Sequence, residues 1–460
     1  MNDADLAQLG SAETPCDAPP VAGAQEHEIT LEEALSVAVL MQQQGRIDDA
    51  EKICRAVLEG IPDHPDALHF LALAIHRRGA HAEAEAIIEG VLARHPDHAD
   101  AWSNLGIFRK TAGRIDAAAE AFARAIGLDP QHANAWSNLG IVRRAQGRLD
   151  EAEAAYQRAL AANPTHAGAW HNLAVLLEGR GQIPDAVIAF SRACVHDPAN
   201  ADSKRLLAHA YCTIGEREKA VEVLRSWLAE QPGHPIATHL LAACSGRDVP
   251  LRASDACVEH MFDSFANTFD AKLRRLRYQA PELVVSMLTD SLPPPARSLA
   301  IADAGCGTGL CGPLLAPYAR TLTGVDLSAG MLERARERAI YDELVKAELS
   351  AFFRLRPNTF DVIVSADTLV YFGELRPPLA AMAAALRSGG TLVFTLEKTP
   401  DAAGGYVLEA HGRYAHTESY VRQLLESLNL AGRAVSVELR MESGRPVDGL
   451  LVCAVKPASV

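Results

Sequence analysis

One period constrains the first half of this chain more tightly than any other feature. Proline recurs at Pro62, Pro96, Pro130, Pro164, Pro198 and Pro232, and glycine at Gly45, Gly79, Gly113, Gly147, Gly181 and Gly215. Alanine recurs at Ala50, Ala84, Ala118, Ala152, Ala186 and Ala220, and every series steps by 34 residues without an insertion. Six copies of one unit therefore run through 31–64, 65–98, 99–132, 133–166, 167–200 and 201–234, with a capping helix expected over 235–244 and the array complete by 247. In the third copy, Trp102, Leu105 and Gly106 open an apolar stripe at helical spacing and Gly113 interrupts it; Ala118, Phe122 and Ala125 carry a second stripe towards Pro130. A glycine suited to a left-handed cap and a proline that cannot continue a helix mark two helices per unit. One pair cannot cover its own apolar face, so neighbours must stack into an α-solenoid.

A chain of 460 residues exceeds one compact core, so further domains are expected. No apolar run reaches the roughly 20 residues of a membrane helix. The start, MNDADLAQLGSAETP, has neither the basic nor the apolar region of a secretory signal, and residues 1–28 read as a disordered tail. Nine cysteines without a C-x-x-C pair fit a reducing cytoplasm. Cys306 and Cys311 share a glycine-rich loop and carry no metal expectation. A net charge of −14 argues against non-specific nucleic-acid binding. The local run Lys272, Arg274, Arg275 and Arg277 reads as a solvated helix face.

The pattern Trp102-Leu105-Gly106-Ala118-Phe122-Pro130 returns as Trp136-Leu139-Gly140-Ala152-Tyr156-Pro164 and as Trp170-Leu173-Ala174-Ala186-Phe190-Pro198. It resembles the tetratricopeptide repeat, with Arg109 and Arg143 where that family has an aromatic in the first helix. The resemblance implies a right-handed superhelix whose concave groove binds a protein or peptide. Asn104, Asn138 and Asn172 share one repeat position, with Lys110 and Arg144 at another nearby. Each asparagine offers an acceptor and two donors to an extended backbone. The set is similar to the asparagine ladder of O-GlcNAc transferase repeats; bonding between repeats is the alternative.

The period ends after Gly246, with a linker over 245–254. Residues 255–290 read as helical, with Phe262, Phe265 and Phe269 on one face. Strand candidates at 298–304, 321–327, 344–348, 361–366 and 391–397 then alternate with helix candidates at 309–317, 329–340, 375–386 and 417–429. This alternation predicts an α/β, Rossmann-like domain with a mainly parallel sheet. The runs 433–443 and 449–456 have no helix between them and must pair antiparallel at its end.

DAGCGTGLCG, Asp303 to Gly312, occupies the first strand-to-helix turn, and Asp326 ends the second strand. Glycines there admit a ligand close to the backbone, and an acid at that strand end suits a ribose diol. Gly307-x-Gly309-x-x-Gly312 also meets the dinucleotide fingerprint. The whole set, including GVDLS, SADTLVYF and LRSGGTLVF, resembles class I S-adenosylmethionine-dependent methyltransferases over about 255–457. FDSFANTFDAKL and LRYQAPELV resemble the helical lid, 255–290, of the bacterial subgroup fused to tetratricopeptide repeats. That resemblance implies S-adenosylmethionine as cofactor. Asp303, Gly305, Gly307 and Gly309 would hold its methionine part, Asp326 its ribose, and Leu327 and Met331 its adenine. Glu348 and Leu349 would sit at the adenine edge, where the family more often has aspartate, and Asp367 beside the cofactor at the end of strand four. Strand four lacks Asn-Pro-Pro-Tyr, so the methyl acceptor is not named. His411, Tyr414 and His416, in HGRYAHTESY, are the candidates for base or substrate contact, with Thr417 as a helix cap the alternative. The expected activity is methyl transfer, with the repeats recruiting a protein partner. An inactive scaffold, or a small-molecule methyltransferase whose repeats serve assembly, are the alternatives.

Overall fold

The structure, a computed structural model, describes residues 30–289, 292, 294–400, 402–442 and 445–458. The expected tail, 1–28, lies outside the described residues. The chain divides into two compact units between Pro130 and Gln131.

The period becomes a strict helical rhythm. Helices α1 (Leu31–Gln43), α3 (Pro65–Arg77), α5 (Ala99–Thr111), α7 (Ala133–Ala145), α9 (Ala167–Gly179) and α11 (Ala201–Thr213) each open a repeat. Their partners are α2 (Ile47–Gly60), α4 (His81–Arg94), α6 (Ile115–Leu128), α8 (Leu149–Ala162), α10 (Ile183–His196) and α12 (Arg217–Glu230), and α13 (Pro235–Ser245) closes the series. The six periodic alanines, Ala50 to Ala220, are all 0% exposed. Each belongs to the second helix of its repeat. Close packing is explicit at Gly140, where a Cβ would lie 2.4 Å from the Tyr156 ring.

The opening helices show a feature not read from the sequence. His64, His98, His132, His166 and His234 are N-caps whose Nδ1 accepts a backbone N–H three residues on, at 3.1–3.4 Å. Asn200 takes that place before α11.

After Gly246, the left-handed cap of α13, the linker is not a free tether. Ala253 N–H donates to Tyr371 O at 2.8 Å, and Gly373 N–H to Leu251 O at 2.8 Å. The helical segment that follows is broken into α14 (Asp255–Phe265), a short 3₁₀ turn, α15 (Phe269–Arg275) and α16 (Ala280–Thr289). The break before α16 falls at Arg277, whose φ is +50°.

Strands β1 (Leu299–Ala304), β2 (Ala319–Asp326), β3 (Glu343–Lys346), β4 (Phe360–Ser365) and β5 (Leu386–Lys398) form a parallel sheet in the order 3-2-1-4-5. Its helices are α17 (Gly312–Leu315), α18 (Ala329–Glu337), α19 (Leu349–Arg354) and α20 (Arg376–Ala385). A hairpin, β6 (Tyr406–Leu408) and β7 (Tyr414–His416), extends the end of β5, and α21 (Glu418–Ser427) follows. The last strands, β8 (Ala431–Glu442) and β9 (Arg445–Val455), pair antiparallel, and β9 runs antiparallel to β5. Both sheet faces are buried. Ile301, Val362 and Val364 pack with α16 on one side, and Ala302, Ile363 and Phe394 pack with Phe352 and Phe353 on the other. Among the described residues, no helix is long and apolar enough to cross a membrane.

The hairpin binds the end of the array. Ala242 and Ala243 of α13 pack against Leu408 and Tyr414. His239 Nε2 lies 2.8 Å from Gly412 O. The strand order reverses between β1 and β4, so a crevice must open at their carboxyl ends.

Candidate functional site

A cavity of about 230 Å³ occupies that crevice. One wall is the turn after β1. Gly305, Gly307 and Gly309 all have positive φ, and a Cβ on Gly305 would lie 2.1 Å from Thr368 Oγ1. Only glycine lets the turn take this path beside the end of β4. Asp326 closes the turn: its carboxylate accepts Gly307 N–H and Ser328 N–H, each at 2.9 Å. Burial raises its pKa against the pull of those donors.

Asp303 lies behind the turn, 1% exposed and not part of the lining. Tyr341 donates its hydroxyl to Asp303 Oδ2 at 2.6 Å, while Oδ1 has no partner among the described residues. Burial pushes Asp303 up to about 7, opposed by the Tyr341 bond and reinforced by the Asp326 charge. The Tyr341 ring also fills the space beside Gly309, Gly312 and Gly324, so a Cβ at Gly324 would lie 3.0 Å from it.

Leu327, Glu348, Leu349 and Asp367 line the cavity, whereas Met331 is 1% exposed and does not. Glu348 is the N-cap of α19, accepting Ser350 N–H at 3.0 Å and Ala351 N–H at 2.8 Å. Asp367, at φ +55°, accepts Arg440 Nη1–H at 2.6 Å through Oδ2; Oδ1 has no partner among the described residues. Burial raises the Asp367 pKa, and the Arg440 charge opposes it.

The helices before the sheet roof the cavity with Phe262, Phe265 and Phe269, and Phe262 meets Tyr371 edge-on at 5.4 Å. Two carboxylates pin this roof. Asp263 accepts Ser328 Oγ–H at 2.5 Å and Gly330 N–H at 3.1 Å. Asp270 accepts Thr308 Oγ1–H at 2.5 Å and is bridged by Arg338. Both acids sit in the lid-like segment of the sequence, but nothing local marks their partners, which are more than thirty residues away.

The remaining lining mixes sources. Arg205 comes from α11 and Leu240 from α13; Lys272, Tyr278, Tyr371, His411, Arg413, Arg440 and Glu442 come from the second half. Several of them belong to an ion network. Arg413 bridges Glu397 at 2.5 Å and Glu442 at 2.7 Å, and Arg440 binds Asp367, Glu397 and Glu442. Burial works to raise Glu442, but the two guanidinium charges hold it at about 2. Burial drives His411 down to about 4, with Arg413 adding to the shift and Glu397 opposing it.

Of the three residues singled out in HGRYAHTESY, only His411 reaches the cavity. Tyr414 is 0% exposed and donates its hydroxyl to Pro250 O at 2.7 Å. His416 is 0% exposed, with Nε2 3.1 Å from Gly373 O, and burial drives it to about 4. Thr417 caps α21, accepting Tyr420 N–H at 3.3 Å. In the array, the amides of Asn138 and Asn172 donate to Asn134 O at 3.0 Å and Gly168 O at 2.8 Å. Asn104 contacts the His69 ring.

Residues 15–234 match the family model described as the C-terminal domain of cilia and flagella-associated protein 70, and residues 302–394 that of a methyltransferase domain. Human methyltransferase-like protein 27 is 39% identical over 112 residues, 24% of this chain and 46% of that protein. Malonyl-[acyl-carrier protein] O-methyltransferase of Priestia megaterium is 28% identical over 162 residues, 34% of this chain and 55% of that protein. The chain thus spans about half the length of these relatives. Among solved structures, Pseudomonas aeruginosa pilF aligns with a TM-score of 0.39 and 20% identity, over 44% of this chain and 92% of its own. The chain joins a tetratricopeptide-type helical array to a methyltransferase domain.

Proposed function

We propose that this chain is an S-adenosylmethionine-dependent methyltransferase whose repeats recruit a protein partner or substrate. The observation that carries the reading is the glycine turn with Asp326 bonded across it, at the switch point of a 3-2-1-4-5 sheet. The cradle at Gly305 and the unpartnered Asp367 Oδ1 fit such a cofactor. When bound, it supplies a methyl group already activated by a sulfonium. Gly305, Gly307 and Gly309 keep the backbone open to the methionine part, with Asp303 bracing the turn from behind through Tyr341. Asp326 takes the ribose diol. Leu327, Glu348 and Leu349 take the purine, with Met331 packed beneath them. Phe262, Phe265 and Phe269 exclude water.

The chain's remaining task is to orient an acceptor. Arg205 and Lys272 line the cavity outside the Arg413 and Arg440 ion network, and in this reading they favour an acceptor carrying a carboxylate. That group is ionised at neutral pH and needs no base. The Priestia relative is named for O-methyl transfer to malonyl-[acyl-carrier protein], and this supports the same chemistry here. His411, the one of the three candidates that lines the cavity, remains the candidate base of this reading for any other acceptor. Tyr414 and His416 act as positioning residues for the hairpin that carries His411 and Arg413. In the repeats, Asn104, Asn138 and Asn172 are the partner-binding residues of this reading, and the cytoplasm its location.

Calorimetry of the full chain with S-adenosylhomocysteine tests the cofactor. Asp326→Ala removes a charged acceptor worth about 1.5–3 kcal/mol, so affinity should fall roughly 10- to 150-fold. Binding of NAD with no heat from S-adenosylhomocysteine would overturn the reading and favour a dehydrogenase.

A further inference from the structure

Cys212 and Cys244 are 32 residues apart in sequence, yet their sulfurs are 3.1 Å apart. That is only about 1 Å beyond the ~2.05 Å of a disulfide bond. Cys212 lies near the end of α11 and is half-buried, within reach of a small solute; Cys244, on α13, is 4% exposed. The pair shares one S–H···S hydrogen bond. This bond, with Arg217 and His209 nearby, favours the thiolate at Cys212 and leaves the proton on the more buried Cys244. Among the described cysteines no other thiolate is favoured. Burial pushes Cys54, Cys194 and Cys257 up to about 11, and it also raises Cys306, Cys311 and Cys453.

We propose that Cys212 and Cys244 form a redox-active dithiol, oxidised by peroxide to a disulfide that staples α11 to α13. The Cys212 thiolate attacks one oxygen of hydrogen peroxide. The O–O bond breaks, and the departing hydroxide takes a proton to become water. Cys212 is then a sulfenic acid. Cys244 loses its proton and its sulfur attacks the Cys212 sulfur; the S–O bond breaks and the second water leaves. The thiols together give up two electrons and two protons, and one peroxide becomes two waters.

The staple would join two helices that each supply a cavity residue, Arg205 from α11 and Leu240 from α13. Beside it, Cys244 Sγ lies 4.0 Å from Ala410 O, and His239 Nε2 lies 2.8 Å from Gly412 O. His411 and Arg413, the neighbours of Gly412, line the same cavity. Oxidation therefore acts where the array meets the loop that shapes the site.

The test uses the reduced full chain and hydrogen peroxide, followed by alkylation, digestion and mass spectrometry. The expected product is a Cys212–Cys244 cross-linked peptide pair, lighter by two hydrogen atoms and reversed by dithiothreitol. In Cys244→Ser, Cys212 should stop at the sulfenic acid and be trapped by dimedone. The proposal fails if both thiols stay alkylatable after Cys194 has oxidised, or if another cysteine partner is found. The wild-type chain alone decides between these results, so a poorly folding variant would not obscure them. The outcome is also independent of whether the chain binds S-adenosylmethionine.

Discussion

The histidine cap His166 makes the start of α9 responsive to acid. Its Nδ1 accepts Ala169 N–H at 3.1 Å, and its Nε2 lies 2.9 Å from Asn134 Oδ1. Those two roles together require the neutral ring with its proton on Nε2, because an imidazolium has no lone pair for the cap. Burial holds the folded His166 pKa below its ordinary value, which is about 6.5 in an unfolded chain. Over the interval between the two, the unfolded chain binds the proton and the folded one resists it. The contribution is therefore complete above about pH 6.5 and is lost as pH falls towards the folded value. A lost cap costs about 1 kcal/mol, roughly a fivefold rise in opening of that helix start. A cation at the positive end of the helix adds about 0.3–1 kcal/mol.

Helix α11 is the internal control, because Asn200 cannot titrate and accepts Ser203 N–H at 2.9 Å. Hydrogen exchange read peptide by peptide, with intrinsic rates corrected, should show the first turn of α9 loosening between about pH 7.5 and 5.5. The first turn of α11 should stay unchanged. His166→Asn should keep α9 capped and abolish its pH response. Equal loosening of α9 and α11, or a pH response that survives His166→Asn, would refute the reasoning.

Three further outcomes are expected. Gly305→Ala places a Cβ 2.1 Å from Thr368 Oγ1 at a φ of +75°; it should cost at least ~2 kcal/mol in urea unfolding and abolish S-adenosylhomocysteine binding, and a stable variant that still binds would contradict the turn described. A fragment of residues 250–460 should keep cofactor affinity yet melt below one of residues 235–460, because removing α13 uncovers Leu408 and Tyr414, worth about 3 kcal/mol; equal melting temperatures would exclude α13 from that fold. Replacing Asn104, Asn138 and Asn172 together by alanine should abolish partner capture without changing the helical circular dichroism, whereas unfolding of the triple variant would make them structural bonds.

Much of this was legible because it depends on local spacing. The 34-residue period placed every helix pair, and the same period held the histidine caps at 64, 98, 132, 166 and 234, which proline and glycine overshadowed. The five parallel strands announced themselves as short apolar runs, and the glycine turn after β1 was readable from its own residues. Glu348 was expected at the adenine edge, and its second role as the cap of the brief α19 went unread, because a helix of six residues has too little periodicity to be seen. The three-residue strands of the hairpin were hidden for the same reason. Tyr341, Asp263 and Asp270 could not be found, because each acts on a partner brought near only by the tertiary fold.

The ion network explains why the loop after β6 can carry site residues at all. Short hairpins are marginal alone, and this one spans only a few paired residues between β5 and α13. Arg413 anchors it to β5 through Glu397 and to β8 through Glu442, while Arg440 ties the same two acids to Asp367 at the end of β4. Removing one partner would leave a buried charge uncompensated, at a cost of about 3–5 kcal/mol, so the arrangement tolerates little slack. With His411 held neutral by burial, three carboxylates face two guanidinium groups. Asp367 lines the cavity, and its Oδ1 lacks a partner among the described residues. A cationic ligand would complete the network. S-adenosylmethionine, the cofactor we propose, would offer a sulfonium and an ammonium, whereas a dinucleotide would offer its pyrophosphate, a charge of the wrong sign.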